Sequence, residues 1–512
     1  MGLAKVYSGG VAGVEAFEVE IEASSRTGDP ALYVVGLPDA AVRESKDRVW
    51  TAIGNSKLFY DPCHITVNLA PADVRKEGAS FDLPIALSML IATEKIKPSA
   101  NPLAYVVLGE LALSGEVRRV RGVLPIAIMA RKKGFKGMLV PCGNAEEAAV
   151  VEGLDVYGIA NLREATDFLE GKINLLPTKV NLANLCGTQF ENRDDFSEVK
   201  GQLLARRAIE VAVSGGHGVL MIGSPGCGKS LMARRIPSIL PPMTLDEALE
   251  TTQIHSVAGA LPAHQSLLVQ RPFRAPHHTA SDVGLLGGGM HLSPGEVSLA
   301  HGGVLFLDEL PEFPRNVLEV LRQPLEDGHV TITRASGSVT FPSRFMLVAA
   351  MNPCPCGYSG DPKRECRCLP LRIQAYRDKI SGPLLDRIDI HINVPSVHFQ
   401  QMSSAAPAEN SATIRRRVVA SRARQTERFG PGGPVCNAHM RPRDVHKHCI
   451  LTAGCSTLLK MAMEELGLTG RAYDRILKVA RTIADMEASP NISEEHVQEA
   501  ISYRTLDRMK WR

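Results

Sequence analysis

Aromatic side chains make up only 5% of this 512-residue chain, with two tryptophans among them. No run approaches the roughly 18 consecutive apolar residues that span a membrane. The opening residues, MGLAKVYSGG, hold no apolar segment of signal-peptide length, and the glycine after Met1 fits a myristoylation signal poorly. These shortages argue against a membrane partner and point to the cytoplasm. There the eleven cysteines would stay reduced rather than build a disulfide framework. An excess of one charge is also lacking. The 58 Lys and Arg against 55 Asp and Glu leave a net +3, which permits a nucleic-acid partner without arguing for one. What remains is ordinary globular composition, 44% hydrophobic and 22% charged, on a chain long enough for roughly two to four domains.

The pattern along the chain predicts a multidomain α/β protein. Residues 1–172 alternate short apolar runs with helical stretches. Strands are expected at Ile65–Leu69 and Tyr105–Leu108 and a buried helix at Leu83–Ile91, in a compact α+β domain. Residues 173–195 read as a polar linker. Over 196–402 the character changes: a helix from Gln202 to Val213, then apolar strands at Gly218–Ile222, Val304–Leu307 and Phe345–Ala350, separated by helical segments. Strands apolar throughout belong to a parallel sheet covered on both faces, so this part reads as a doubly wound α/β domain. The small polar stretch 403–412 is a second linker, and 413–512 is mostly helical. Residues 413–448 carry nine Lys/Arg and two Asp/Glu, a local +7, which is either a solvated helix face or a nucleic-acid track.

One loop carries specific chemistry. Gly223, Ser224, Pro225, Gly226, Cys227, Gly228, Lys229 and Ser230 spell G-x-x-x-x-G-K-S between a strand and a helix. Such a loop aims backbone N–H groups at phosphates; its lysine reaches the β- and γ-phosphates, and its serine ligates Mg²⁺. Cys227 reads as a small filler in that loop. Asp308 and Glu309 end the second apolar strand. Asp308 suits the Mg²⁺ shell with Ser230, and Glu309 suits a general base for the attacking water. ATP and Mg²⁺ are therefore the expected ligands. Asn352 follows the third strand, where an amide can orient water or touch the γ-phosphate. Arg387, in the segment 382–389, is either a finger for a neighbour's γ-phosphate or an internal ion pair with Asp386 or Asp389. Arg471 is placed to sense nucleotide from the helical C-terminal part, or to pair within it. Cys354, Cys356, Cys366 and Cys368 form C-x-C-x₉-C-x-C; they either close a tetrahedral Zn²⁺ site or pack as reduced thiols.

The stretches RPFRAPHHTAS, PGEVSLAHGGVLFLDELPEF, NPCPCG, SGPLLDRIDIH and GRAYDRILKVARTIADM are long and specific. On them the chain resembles the ComM (YifB) family of magnesium-chelatase-like AAA+ ATPases over nearly its whole length. The resemblance implies an N-terminal Lon-C-terminal-like domain, a central AAA+ core and a C-terminal helical lid. It also implies nucleotide-dependent homo-hexamers acting as DNA branch-migration helicases in natural transformation, on branched or single-stranded DNA and alongside recombination proteins. By motif match Lys229, Asp308, Glu309, Asn352, Arg387 and Arg471 take the family's roles. In this clade the stretch from Arg274 to about Gly295, with His277 and His278, and a hairpin over Val330–Thr340 turning near Ser336 and Gly337 would face a pore. Residues 76–82 (KEGASFD) are similar to the Lon segment with the serine nucleophile, which falls on Ser80. The matching lysine position is Leu124, so the peptidase chemistry is expected to be lost; Lys132 and Lys133 have the wrong spacing.

Two other readings compete. A chelatase-type motor remodelling a protein partner would share the core, and the Lon-like part and the cysteines argue against it. An ATP-dependent protease is opposed by Leu124.

Overall fold

A computed structural model describes residues 2–181, 194–262, 265–289, 292–334, 337–361, 364–396 and 408–504. Most of the first expected linker (182–193) and half of the second (403–407), with Ser336 and the last eight residues, lie outside these.

The first unit is built on a hairpin of β1 (Gly2–Ala12) and β2 (Glu15–Arg26), paired in unbroken register from Gly2↔Ser25 to Ala12↔Glu15. Alternation decides which face is buried: Val19, Ile21 and Ala23 point into the core. Glu20 and Glu22 stand on the other face, where both meet Lys5. β3 (Ala31–Val35), β4 (His64–Ala70), β5 (Tyr105–Val107), β6 (Gly137–Pro141) and β7 (Asp155–Ile159) complete a mixed sheet in the order β3-β4-β2-β1-β5-β6-β7. The helix Asp82–Ala92 lies against β1 and β2. It is apolar almost all round, as a fully buried helix must be. Its one charge, Asp82, takes two hydrogen bonds from Arg48, at 2.8 and 3.0 Å, and one from the Leu111 N–H.

The second unit carries a five-stranded sheet, all parallel: β8 (Val219–Ile222), β9 (Phe273–Arg274), β10 (Val304–Leu307), β13 (Met346–Met351) and β14 (Ile390–Asn393), in the order β9-β10-β13-β8-β14. Between β10 and β13 the chain makes an antiparallel hairpin of β11 (His329–Arg334) and β12 (Gly337–Pro342). Successive residues of each sheet strand enter different cores. Val219, Met221 and Phe306 join one cluster; Leu220, Leu305 and Leu307 join the other. Both faces are covered, which is why these strands are apolar end to end.

The two units meet through a pair of helices and at a turn. The helix Val123–Lys133 packs on the helix Leu245–Ala258, with the Gly122 N–H bonded to Ser256 O at 3.1 Å. At the β1–β2 turn Gly13 lies so close to Val339 of β12 that an added Cβ would fall 2.7 Å from Val339 Cγ1.

The C-terminal residues form helices Ser411–Phe429, Ala453–Leu466, Gly470–Met486 and Glu494–Ser502, of which the first and third pack on the helix Leu203–Gly215. The basic stretch divides between neighbours and solvent: Arg416, Arg441, Arg443 and Lys447 are exposed, as a solvated face requires. Arg417 pairs with Glu210 and Glu409, and Arg428 with Asp485. Arg422 donates to Val213 O, and Arg424 to Asp485 O. These four arginines tie the helix to its neighbours. Among the described residues no helix is long and apolar enough to cross a membrane.

Candidate nucleotide site and cysteine centre

The phosphate-type loop leaves the C-terminal end of β8 and enters a helix at Lys229. Glycine is required at two of its positions. Gly228 has φ 92°, and a Cβ on Gly223 would fall 2.3 Å from Val394 O. Lys229 is buried; its Nζ donates to Gly223 O at 2.6 Å, Ser224 O at 3.0 Å and Asn352 Oδ1 at 3.3 Å. Ser230 Oγ donates to Asp308 Oδ2 at 2.6 Å. Asp308 follows β10 and Asn352 follows β13, so three parallel neighbours deliver a lysine, a hydroxyl, a carboxylate and an amide to one sheet edge. Such an edge is where open α/β sheets bind ligands.

Glu309 has φ 51° and is exposed, a left-handed turn that sends its carboxylate away from the strand. His278 Nδ1 stands 3.4 Å from Glu309 Oε2, with the His277 ring packed on the His278 ring at 4.1 Å. His278, expected in a pore-facing stretch, stands beside the acidic pair. Gln202 was also missed. Its Nε2 donates to Cys227 O at 2.6 Å and Pro395 O at 2.9 Å, bracing the loop from the side. Neither residue carries a local sequence signal, because each contact joins segments far apart in the chain.

Arg387 and Arg471 lie elsewhere. Both line a cavity of about 690 Å³ with Gly218, which precedes β8, and Phe345, which precedes β13. That is the N-terminal edge of the parallel strands, a strand length of about 13 Å from the loop edge. Arg387 is 6% exposed and pairs with Glu326 while donating to Pro383 O, so its ion-pair partner is neither Asp386 nor Asp389. Asp389 instead serves His217 and Arg475. Burial lowers the Arg387 pKa from its ordinary value; Glu326 opposes this, and the Arg322 and Arg471 cations add to it. Arg471 is exposed. In one chain neither arginine is placed to reach that chain's own loop.

Four sulfurs converge after Asn352. Cys354, Cys356, Cys366 and Cys368 hold their Sγ atoms within 4.8 Å of one another. Cys354 Sγ lies 3.4 Å from Cys356 Sγ, and both lie 3.6 Å from Cys366 Sγ. Zn–S bonds of about 2.3 Å in a tetrahedron put sulfurs ~3.8 Å apart, so the donor set fits zinc. The Ser359 N–H donates to Cys354 Sγ at 3.3 Å, and a backbone N–H bond from Tyr358 lowers the Cys356 pKa, while the crowding of the sulfurs raises those of Cys366 and Cys368. The two N–H groups favour thiolate on Cys354 and Cys356.

In the first unit Ser80 sits in the short turn Ala79–Phe81. Leu124 is fully buried in a cluster with Val106, Leu108 and Met138. Lys133 pairs with Glu18, and the buried Lys76 gives its ammonium to Pro71 O.

A phosphate-type loop, an acidic strand end and an asparagine on a β9-β10-β13-β8-β14 parallel sheet are the parts of a magnesium-chelatase-like AAA+ ATPase. Residues 195–402 match the family described as magnesium chelatase, subunit ChlI; 19–144 match subunit ChlI of Mg-chelatase, and 408–504 its C-terminal part. The chain is 42% identical to the competence protein ComM of Haemophilus influenzae, over 99% of each chain. It is also 42% identical to the YifB protein of Salmonella typhimurium, over 99% of this chain and 98% of that one. The protein belongs to the ComM/YifB family. A DNA repair protein RadA of Bacillus subtilis is similar only over 92 residues, at 36% identity.

Proposed function

We propose that the protein is a ring-forming, ATP-driven motor that moves DNA strands past one another, a hexameric branch-migration helicase serving homologous recombination during natural transformation. The observation that carries the ATPase part is the convergence of Lys229, Ser230, Asp308 and Asn352 on one sheet edge. In this reading the loop 223–230 holds the ATP phosphates, with Lys229 on the β- and γ-oxygens. Ser230 and Asp308 are hard oxygen donors at the right separation to hold Mg²⁺, which when bound neutralises charge on the β- and γ-oxygens. Glu309 polarises the attacking water, and Asn352 orients it.

The ring part rests on Arg387 and Arg471. Their place at the far edge of the sheet makes them useful to a neighbour's nucleotide, not their own. Arg387 would exchange Glu326 for that phosphate. Arg471 then acts in trans from the C-terminal helices, which serve as the lid. The DNA part is supported by full-length similarity to a competence protein. The first unit, read as a Lon-like fold with its chemistry gone, works by contact; Leu124 in the core leaves Ser80 without the family's base. The four cysteines hold a structural zinc.

A chelatase-type motor remains the second reading, favoured by one observation. Residues 19–144 themselves match a chelatase-subunit family, so the first unit no longer separates the two. ATP hydrolysis measured without DNA and with single-stranded, duplex and four-way-junction DNA tests the choice. Stimulation by DNA, greatest with the junction, is expected. An active ATPase indifferent to every DNA favours the chelatase-type motor.

A further inference from the structure

The cysteine centre touches the phosphate loop directly. Ser224 Oγ, in the loop, donates a 2.8 Å hydrogen bond to Oδ2 of Asp361, which lies between the two cysteine pairs. The other oxygen of Asp361 accepts from the Arg364 N–H at 3.1 Å. Gly357 follows Cys356 with φ 86°, its N–H bonded to Cys354 O at 2.9 Å. It stands against the next loop residue: a Cβ there would fall 2.5 Å from Pro225 Cδ. Asn352, which accepts from Lys229, is carried two residues ahead of Cys354. Two consecutive loop residues and the lysine's amide partner are thus all met by one cysteine-bound segment. That segment has no strand or helix among its described residues 352–361 and 364–369. Its shape depends on what closes the four thiols.

We propose that the four-cysteine centre is a brace for the phosphate loop. Asp361 and Gly357 are positioning residues that hold Ser224 and Pro225 from the side, so nucleotide affinity depends on the centre staying closed. A loop already held in place loses less conformational freedom when ATP binds, and the difference appears as affinity. Pro225 and Gly226 are exposed and Gly226 has φ 76°, so few other contacts fix this tip. The proposal rests on the reading of 223–230 as the nucleotide loop. It extends the zinc reading but needs only a closed centre, whether by metal or by packing.

The test uses the full-length protein and the dissociation constant of a fluorescent ATP analogue, with zinc content and thermal midpoint measured alongside. Asp361→Ala removes a hydrogen bond to a carboxylate, worth about tenfold. A roughly tenfold weaker binding is expected, with zinc content and midpoint held. Asp361→Asn, which can still accept from Ser224, should lie between. Gly357→Ala should weaken binding through Pro225. Cys366→Ser with Cys368→Ser should weaken binding as much, and add little to the Asp361→Ala loss. Wild-type protein that lacks zinc, with Asp361→Ala still weakening binding, defeats the metal reading and keeps the brace. Wild-type protein that binds no nucleotide defeats the loop reading, and the brace with it. Unchanged affinity in folded Asp361→Ala and Asp361→Asn overturns the brace.

Discussion

Ser230 Oγ and Asp308 Oδ2 stand 2.6 Å apart although 78 residues separate them in the chain. The contact exists because β8 and β10 flank β13 in one parallel sheet and both end at the same edge. A helix-starting hydroxyl and a strand-ending carboxylate are thereby turned into one oxygen pair fit for a divalent cation.

That pair sets the first prediction. Lys229→Ala should abolish nucleotide binding in a fluorescent-analogue titration. Glu309→Gln should keep binding and lower kcat about 10²–10⁴-fold, the range for losing a positioned base. Loss of binding in the glutamine variant would move Glu309 from chemistry to structure.

His278 is predicted to hold the Glu309 carboxylate. Losing this 3.4 Å contact should cost up to about tenfold, so His278→Ala should lower kcat by that much with KM for ATP unchanged. His278→Gln, which can still donate, should recover part of the rate. A change in KM alone would place His278 on the substrate instead.

The trans role of Arg387 is testable by mixing. Arg387→Ala alone should lose about 10³–10⁵ in rate. Rings mixed at random from Glu309→Gln and Arg387→Ala subunits contain about a quarter wild-type interfaces if the arginine serves its neighbour. Steady-state ATPase should therefore reappear on mixing two inactive proteins. No recovery, with both variants shown to share rings, would place Arg387 in its own subunit.

Metal analysis of the purified protein should find about one zinc per chain. Replacing Cys366 and Cys368 with serine should remove it. In the first unit Ser80→Ala should leave ATPase and DNA activities unchanged, and casein cleavage should be undetectable. Cleavage abolished by that change would bring back a peptidase.

The chemistry-bearing stretches were legible in the sequence because each is local. The loop's glycines, the apolar strands and the buried helix all fall within a residue or two of expectation; the helix runs Asp82–Ala92 against an expected Leu83–Ile91. β9 and β14 were not: β9 is two residues long, and β14 alternates apolar with polar residues instead of running apolar throughout. The fates of Arg387 and of the basic helix were hidden for another reason. A charged residue reads the same in sequence whether it faces water or, like Arg417, a glutamate about two hundred residues away. The contacts of His278, Gln202 and Asp361 are likewise products of the fold and not of any motif.

The most direct measurement of the central claim is the fate of a mobile four-way DNA junction incubated with the protein, ATP and Mg²⁺. The account predicts that the junction is resolved into its duplex products, that Lys229→Ala leaves it intact, and that binding weakens steeply as salt rises. Junctions left whole by protein that is hydrolysing ATP would contradict it.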